Sequence, residues 1–173
     1  MYKPVVTTLV CMVIFIIFIA EFTYAAKSIE IALEAEFANK IQAAMVKAKT
    51  EDVKAKGWPA PNESSRDQFV WAPGAPVTGG GDSGFAEFIV NIPQADTYAV
   101  WGYVVAWDGN SDSFWVTWRP SDPDENPQQT GNTEYRWGVA GGNIWHWDRI
   151  NHWLNAGTFD REWELPEGET ILK

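Results

Sequence analysis

Residues Thr97 to Trp118 read TYAVWGYVVAWDGNSDSFWVTW. Tyr98, Val100, Gly102 and Val104 alternate with Ala99, Trp101, Tyr103 and Val105. Further on, Phe114, Val116 and Trp118 alternate with Ser113, Trp115 and Thr117. Aromatic and β-branched residues at a period of two suit a pleated surface, so two long strands are predicted. Between them, Asp108-Gly109-Asn110-Ser111-Asp112 is turn chemistry, because Gly and Asn accept positive φ. Apolar residues stand on both faces of the pair. Either both faces are covered, or one is kept for a partner. Trp101 and Trp115, in mid-strand, are expected in the core.

The flanking sequence carries the same signals. Ile29, Ile31, Leu33 and Ala35 alternate with Glu30, Ala32, Glu34 and Glu36, which predicts a half-buried strand with carboxylates on its polar side. Phe37 to Lys56 admits a helix, but strand followed by loop is the reading taken. Short strands are predicted over Asp67–Ala72, Phe85–Ile92, Tyr135–Gly138, Asn143–Ile150 and Thr170–Leu172, with another ending at Trp163-Glu164-Leu165. Gly- and Pro-rich segments separate them: Gly57–Arg66, Pro73–Gly84, Pro120–Thr133 and Asn155–Gly157. Many short strands with little helix predict an all-β fold, a two-sheet antiparallel sandwich. No strand–helix alternation suggests a Rossmann-type sheet. The sequence stops two or three residues into a strand, so the expectation is a C-terminally incomplete sandwich lacking its last strand or a neighbouring segment.

Length and charge narrow the function classes. The chain has 173 residues and a formal net charge of −10. It is long enough for one domain with a substantial core. An acidic chain lacks the basic footprint of a nucleic-acid binder. Lys3, the uncharged run Val5 to Ala20, and Thr23-Tyr24-Ala25 predict a secretory signal cleaved after Ala25. The run is shorter than the roughly 20 residues of a spanning helix. Membrane attachment is expected only if the segment stays uncleaved. The mature domain, 26–173, is then secreted or held at the cell surface, and it contains no cysteine. All 11 tryptophans lie C-terminal to Gly57, more than a core requires, which suggests aromatic contact surfaces.

Several segments resemble family 6 and family 35 carbohydrate-binding modules. Leu33-Glu34-Ala35-Glu36 resembles their EAE opening, and Val90-Asn91-Ile92-Pro93-Gln94-Ala95-Asp96-Thr97-Tyr98 the approach to their central strand. Asp112-Ser113-Phe114, Trp145-His146-Trp147 and Leu165-Pro166-Glu167-Gly168-Glu169-Thr170-Ile171 follow in the family's order. Asp96 stands where the family has Gly. The resemblance covers about residues 29–173. It implies a jelly-roll sandwich, non-catalytic, with a sugar site on loops at one edge and a structural Ca²⁺. The calcium would take Glu34 and Glu36 and a further Asp that this chain does not reach.

The residues give that expectation chemical content. A sugar packs its C–H face on an aromatic plane and needs a few aimed polar groups. Trp107, Trp137, Trp145 and Trp147 are the candidate platforms, and Asp108, Asn110 and Asn143 the candidate polar groups. Glu34 and Glu36, two apart on a strand, would offer Ca²⁺ hard oxygen ligands from one face. Asp108–Asp112 has the opening spacing of an EF-hand loop but lacks its Gly and Glu, so a hairpin turn is the simpler reading. His146 and His152 lack zinc-ligand spacing. The function expected is non-catalytic binding of a glycan or polysaccharide. The alternatives are a structural or adhesive cell-surface sandwich, and a small glycosidase or lyase drawing on Asp67, Glu87, Asp148 or Glu164.

Overall fold

The computed structural model describes residues 28–55, 67–72, 84–106, 109, 112–154 and 157–173, with the side chains of 53, 143 and 154 left out. The predicted signal segment lies outside these residues. The chain divides into two units, Met1–Ile31 and Ala32–Lys173. The first is described only over 28–31, where it has no regular structure. No helix among the described residues is long and apolar enough to cross a membrane.

The second unit is mostly β. Its strands are β1 (Lys40–Ala43), β2 (Val46–Lys49), β3 (Gln68–Trp71), β4 (Gly84–Ile92), β5 (Asp96–Ala99), β6 (Trp101–Ala106) and β7 (Ser113–Trp115). These are followed by β8 (Trp118–Arg119), β9 (Arg136–Gly138), β10 (Gly142–Arg149), β11 (Asn151–Leu154), β12 (Gly157–Asp160), β13 (Glu162–Leu165) and β14 (Gly168–Leu172). Two short helices, α1 (Thr50–Ala55) and α2 (Pro127–Thr130), interrupt them. One sheet has four strands in the order β1-β4-β14-β8. The other pairs are two-stranded: β6 with β10, β5 with β13, β7 with β9, β2 with β3, and β11 with β12.

Strand pairing corrects the reading of the central stretch. The segments before and after the Asp108–Asp112 turn do not pair with each other. β6 pairs with β10 and β7 with β9. Alternation marks a strand but does not identify its neighbour. A second correction concerns Ile29–Glu36. No strand forms there; Ala35–Phe37 is a 3-10 turn, and Leu33 is exposed. A period-two pattern needs a partner's hydrogen bonds, and none is supplied. Phe37–Lys56 becomes β1, β2 and α1 rather than one strand and a loop.

The main core draws one face from most of these pairs. Val90 and Ile92 of β4 stand opposite Thr170 and Gly168 of β14, and Phe88 opposite Leu172. Trp163 and Leu165 point inward from β13. Ala106, Val116, Trp118, Trp137, Val139 and Ile150 complete the cluster. A smaller cluster joins Ala48 and Phe69, with Trp71 and Trp145 against it.

Polar groups tie this core together. Asp122 and Arg161 form a buried ion pair. The second Asp122 oxygen accepts from the Trp118 backbone N–H at 2.8 Å and from Trp163 Nε1 at 2.7 Å. Arg161 also donates to the Val116 carbonyl at 3.1 Å and lies over the rings of Tyr135 and Trp163. Burial lowers the Arg161 pKa, and the Asp122 charge opposes that shift. Burial raises the Tyr135 hydroxyl, and Asp122 adds to the effect. Trp118 Nε1 donates to Thr170 Oγ1 at 2.8 Å, and that hydroxyl donates on to the Val90 carbonyl at 3.1 Å.

Two substitutions test this arrangement. Asp122→Asn leaves the Arg161 charge uncompensated and is expected to cost about 3–5 kcal/mol in urea unfolding. Gly102→Ala places a Cβ 2.4 Å from the Trp137 ring. Overpacking of that kind should cost about 1–3 kcal/mol in the same assay.

Candidate functional site

The β6–β10 ribbon is built from opposite pairs that share a face. Trp101 stands opposite Arg149, Tyr103 opposite Trp147, Gly102 opposite Asp148 and Val104 opposite His146. Side chains alternate along each strand, so Trp101, Tyr103, Trp147 and Arg149 lie on one face. The other face carries Val104 and Ala106 into the core. Gly102 lies on that inner side, where the Trp137 ring leaves no room for a Cβ. Trp137 therefore presses on the back of the ribbon and turns the aromatic face outward.

The outward rings touch one another. Tyr103 stacks on Trp145 with centroids 5.5 Å apart and planes 21° from parallel. Its ring lies 5.2 Å from that of Trp147. Trp145 continues to Phe69 at 5.7 Å, and Phe69 to Trp71 at 5.9 Å. Trp147 is 66 % exposed and Trp101 54 % exposed. Exposed indoles are costly to leave in water and gain most when another surface covers them. At the Trp101 end, Arg149 holds Asp160 at 3.1 Å and Glu162 at 2.5 Å. Those charged groups supply donors and acceptors beside the rings.

The structure separates the residues singled out from sequence. Trp145 and Trp147 meet on this face, but in different roles. Trp147 is open, while Trp145 is half-buried and wedges β10 against β3. Trp137 is a correction: it is 5 % exposed and belongs to the core. It sits on β9, which carries Arg136 and Gly138 outward and so directs residue 137 inward. Trp101 is the converse correction, expected inside and found outside. Trp107, Asp108 and Asn110 lie outside the described residues, and so does the side chain of Asn143 on β10. Tyr103, Arg149, Asp160 and Glu162 were not foreseen as site residues. The shared face of Trp145, Trp147 and Arg149 was visible in the alternation; its pairing with β6 was not.

Glu34 and Glu36 do not form the strand-face pair expected of calcium ligands. Glu34 is exposed at the start of the 3-10 turn. Glu36 is 2 % exposed, and its Oε1 is buried with no hydrogen-bond partner. Residues two apart around a 3-10 turn of three residues per turn point in different directions, whereas residues two apart on a strand point together. An orphaned buried carboxylate oxygen is the kind of atom a cation would satisfy. However, no group of three or more His, Cys, Asp or Glu residues gathers around a possible metal position among the described residues. Ca²⁺ takes six to eight oxygens, so Glu34 and Glu36 would need further ligands to hold it.

The carboxylates considered for hydrolysis are dispersed. Glu87 lies 3.7 Å from Arg119, and Asp148 accepts from the Ala140 N–H at 3.0 Å. Asp67 precedes β3 and Glu164 lies on β13. An open acidic depression is lined by Ser121, Glu134, His152, Asp160, Glu162 and Glu164. Asp160 and Glu162 there are engaged by Arg149.

No family model matches the chain, and no curated protein or solved structure matches it.

Substitutions should distinguish the two kinds of tryptophan. Trp137→Ala is expected to cost about 3–5 kcal/mol of folding stability. Trp147→Ala should leave the denaturant midpoint close to that of the unaltered chain, since its ring is already largely in water. Equal losses in chemical unfolding would contradict this division of core and surface.

Proposed function

We propose that this chain is an exported, non-catalytic glycan-binding domain that stacks sugar rings on the outward face of the β6–β10 ribbon. The observation that carries the reading is the contiguous group of Tyr103, Trp145 and Trp147, with Trp101 on the same ribbon face and the indoles of Trp101 and Trp147 in solvent. A pyranose presents an apolar C–H face to such a ring and its hydroxyls to neighbouring charges. Arg149, Asp160 and Glu162 are those neighbours. In this reading the sheet and ribbons form a two-sheet jelly roll, and the ligand lies along a strand face rather than across edge loops. The N-terminal segment directs export, and a structural Ca²⁺ would need ligands besides Glu34 and Glu36.

A second reading has its own observation. Ile144, on β10 where its register with β6 shifts, is 72 % exposed. A branched aliphatic side chain offers a sugar no plane to stack on. An adhesive domain would instead cover Ile144, Trp147 and Trp101 with a protein partner.

A glycan array with the purified chain, followed by titration of any hit, tests the first reading. Trp147→Ala and Trp101→Ala should each weaken binding by about 1–3 kcal/mol, with quenching or a shift of Trp fluorescence. Ile144→Ser should leave glycan affinity unchanged. Folded Trp101 and Trp147 variants with unaltered glycan affinity would remove this face from the site. Addition of Ca²⁺ or EDTA during the titration reads the metal's part.

A further inference from the structure

β5 and β6 follow one another with only Val100 between them, and their pairing partner changes there from β13 to β10. The Val100 carbonyl accepts the Ile150 N–H at 2.9 Å, and the Ile150 carbonyl accepts the Arg161 N–H at 3.0 Å. The inner side is continuous across this change. Tyr98, Val100 and Val104 pack against the core, and Gly102 lies against Trp137. The alternation therefore passes through Val100 unbroken, and Thr97, Ala99, Trp101 and Tyr103 share the outer face. From Thr97 to Tyr103 that face is about 20 Å long.

The two partner strands give this face two chemically different ends. Opposite Tyr103 stands Trp147, and opposite Trp101 stands Arg149. Beyond the change of partner, Glu162 stands opposite Ala99 and Glu164 opposite Thr97. Trp163 and Leu165 are buried, so Glu162 and Glu164 point outward with their exposed partners. Asp160 joins the same end through Arg149. Asp160, Glu162 and Glu164 thus stand against one guanidinium there, because Arg161 is already matched by Asp122. Glu164 has no cationic partner among the described residues. One outer face therefore runs from open indoles to an excess of open carboxylates, and Trp101 is where they meet.

Charge complementarity selects the ligand for such a face. An ammonium is drawn to a carboxylate and also to the negative face of an indole. A ligand with acid groups would meet like charge at Glu162 and Glu164, and the net charge of −10 adds the same bias at longer range. A basic polypeptide would satisfy the carboxylates but has no repeating C–H plane for the indoles, whereas a polymer of amino sugars has both groups in every ring. We infer that the outer face of β5 and β6 binds a cationic glycan, an amino-sugar polymer. Its rings stack on Trp101 and Trp147, and its ammonium groups lie against Glu162 and Glu164. This inference rests on the glycan reading above and names the class of sugar.

Calorimetric titration of the purified chain tests it, with glucosamine tetrasaccharide and its neutral N-acetylated counterpart. At about pH 6 the sugar amine is protonated and the carboxylates are ionised. The amine form is expected to bind about tenfold more tightly than the acetylated form, or better. Added salt should weaken the amine form selectively. Glu164→Gln should narrow the ratio of the two affinities about threefold or more, and Glu164→Lys should abolish the preference. Near-UV circular dichroism reports whether each variant is folded. Equal affinity of the two sugars for the unaltered chain overturns the inference without recourse to any variant, as does absence of binding by both. Folded Glu164 variants that keep the full preference overturn it as well. Oligolysine bound as tightly as the amino sugar would assign the face to a basic peptide and overturn it too. Binding of neutral glycans that depends on Trp101 and Trp147, with no preference for the amine, leaves the ribbon reading standing and removes this one. Amine binding that is untouched by Trp101→Ala and Trp147→Ala removes both.

Discussion

The buried pair of Asp122 and Arg161 is the constraint on which the rest of the β unit depends. Neither charge is stable in an apolar interior alone, so each requires the other in place. Their remaining hydrogen-bonding groups are spent on separate parts of the chain. Asp122 takes the Trp118 backbone at β8 and the Trp163 indole on β13. Arg161 takes the Val116 carbonyl. The backbone of Arg161 also donates to the Ile150 carbonyl at the end of β10. One ion pair thus fixes how the large sheet, the β5–β13 pair and the β10 strand meet. Its value lies in specificity, because a misplaced segment would leave a charge unpaired.

Fixing those elements also fixes what stays outside. Trp118 and Trp163 are held by indole hydrogen bonds, and Trp137 is packed against Gly102. Trp101 and Trp147 have no such anchors, and the ribbon's inner face is already filled. The same residue type therefore serves two ends in this chain, according to which side of a strand carries it. Core indoles join sheets, while outer indoles form a surface that water covers poorly.

The sequence announced strands better than it announced neighbours. β3, β4, β9, β10, β13 and β14 fall where alternation and turn residues put them, because both signals are local. The pairing of β6 with β10 is not local, and nothing in residues 97–118 encodes it. Trp101 was misplaced for a related reason: both faces of its strand are apolar, so composition gave no direction. Trp137 lies on a three-residue strand, too short for alternation to mark its inner side. Ile29–Glu36 has a faultless period of two and makes no strand, which shows that pattern without a partner is insufficient. Of the site, the Trp145–Trp147–Arg149 face was legible, and the Tyr103 and Trp101 half was not.

The strand pairing has a kinetic consequence. Among the described strands, only β2–β3 and β11–β12 pair neighbours in the chain; β4 waits for β14, β5 for β13 and β6 for β10. Closing such distant pairs costs chain entropy before any burial compensates it. Topologies of this kind belong to the slow class, folding in roughly milliseconds to seconds. During that interval the unpaired edges of β4 and β6 are open to other chains. The rate at which β6 finds β10 therefore weighs folding against aggregation.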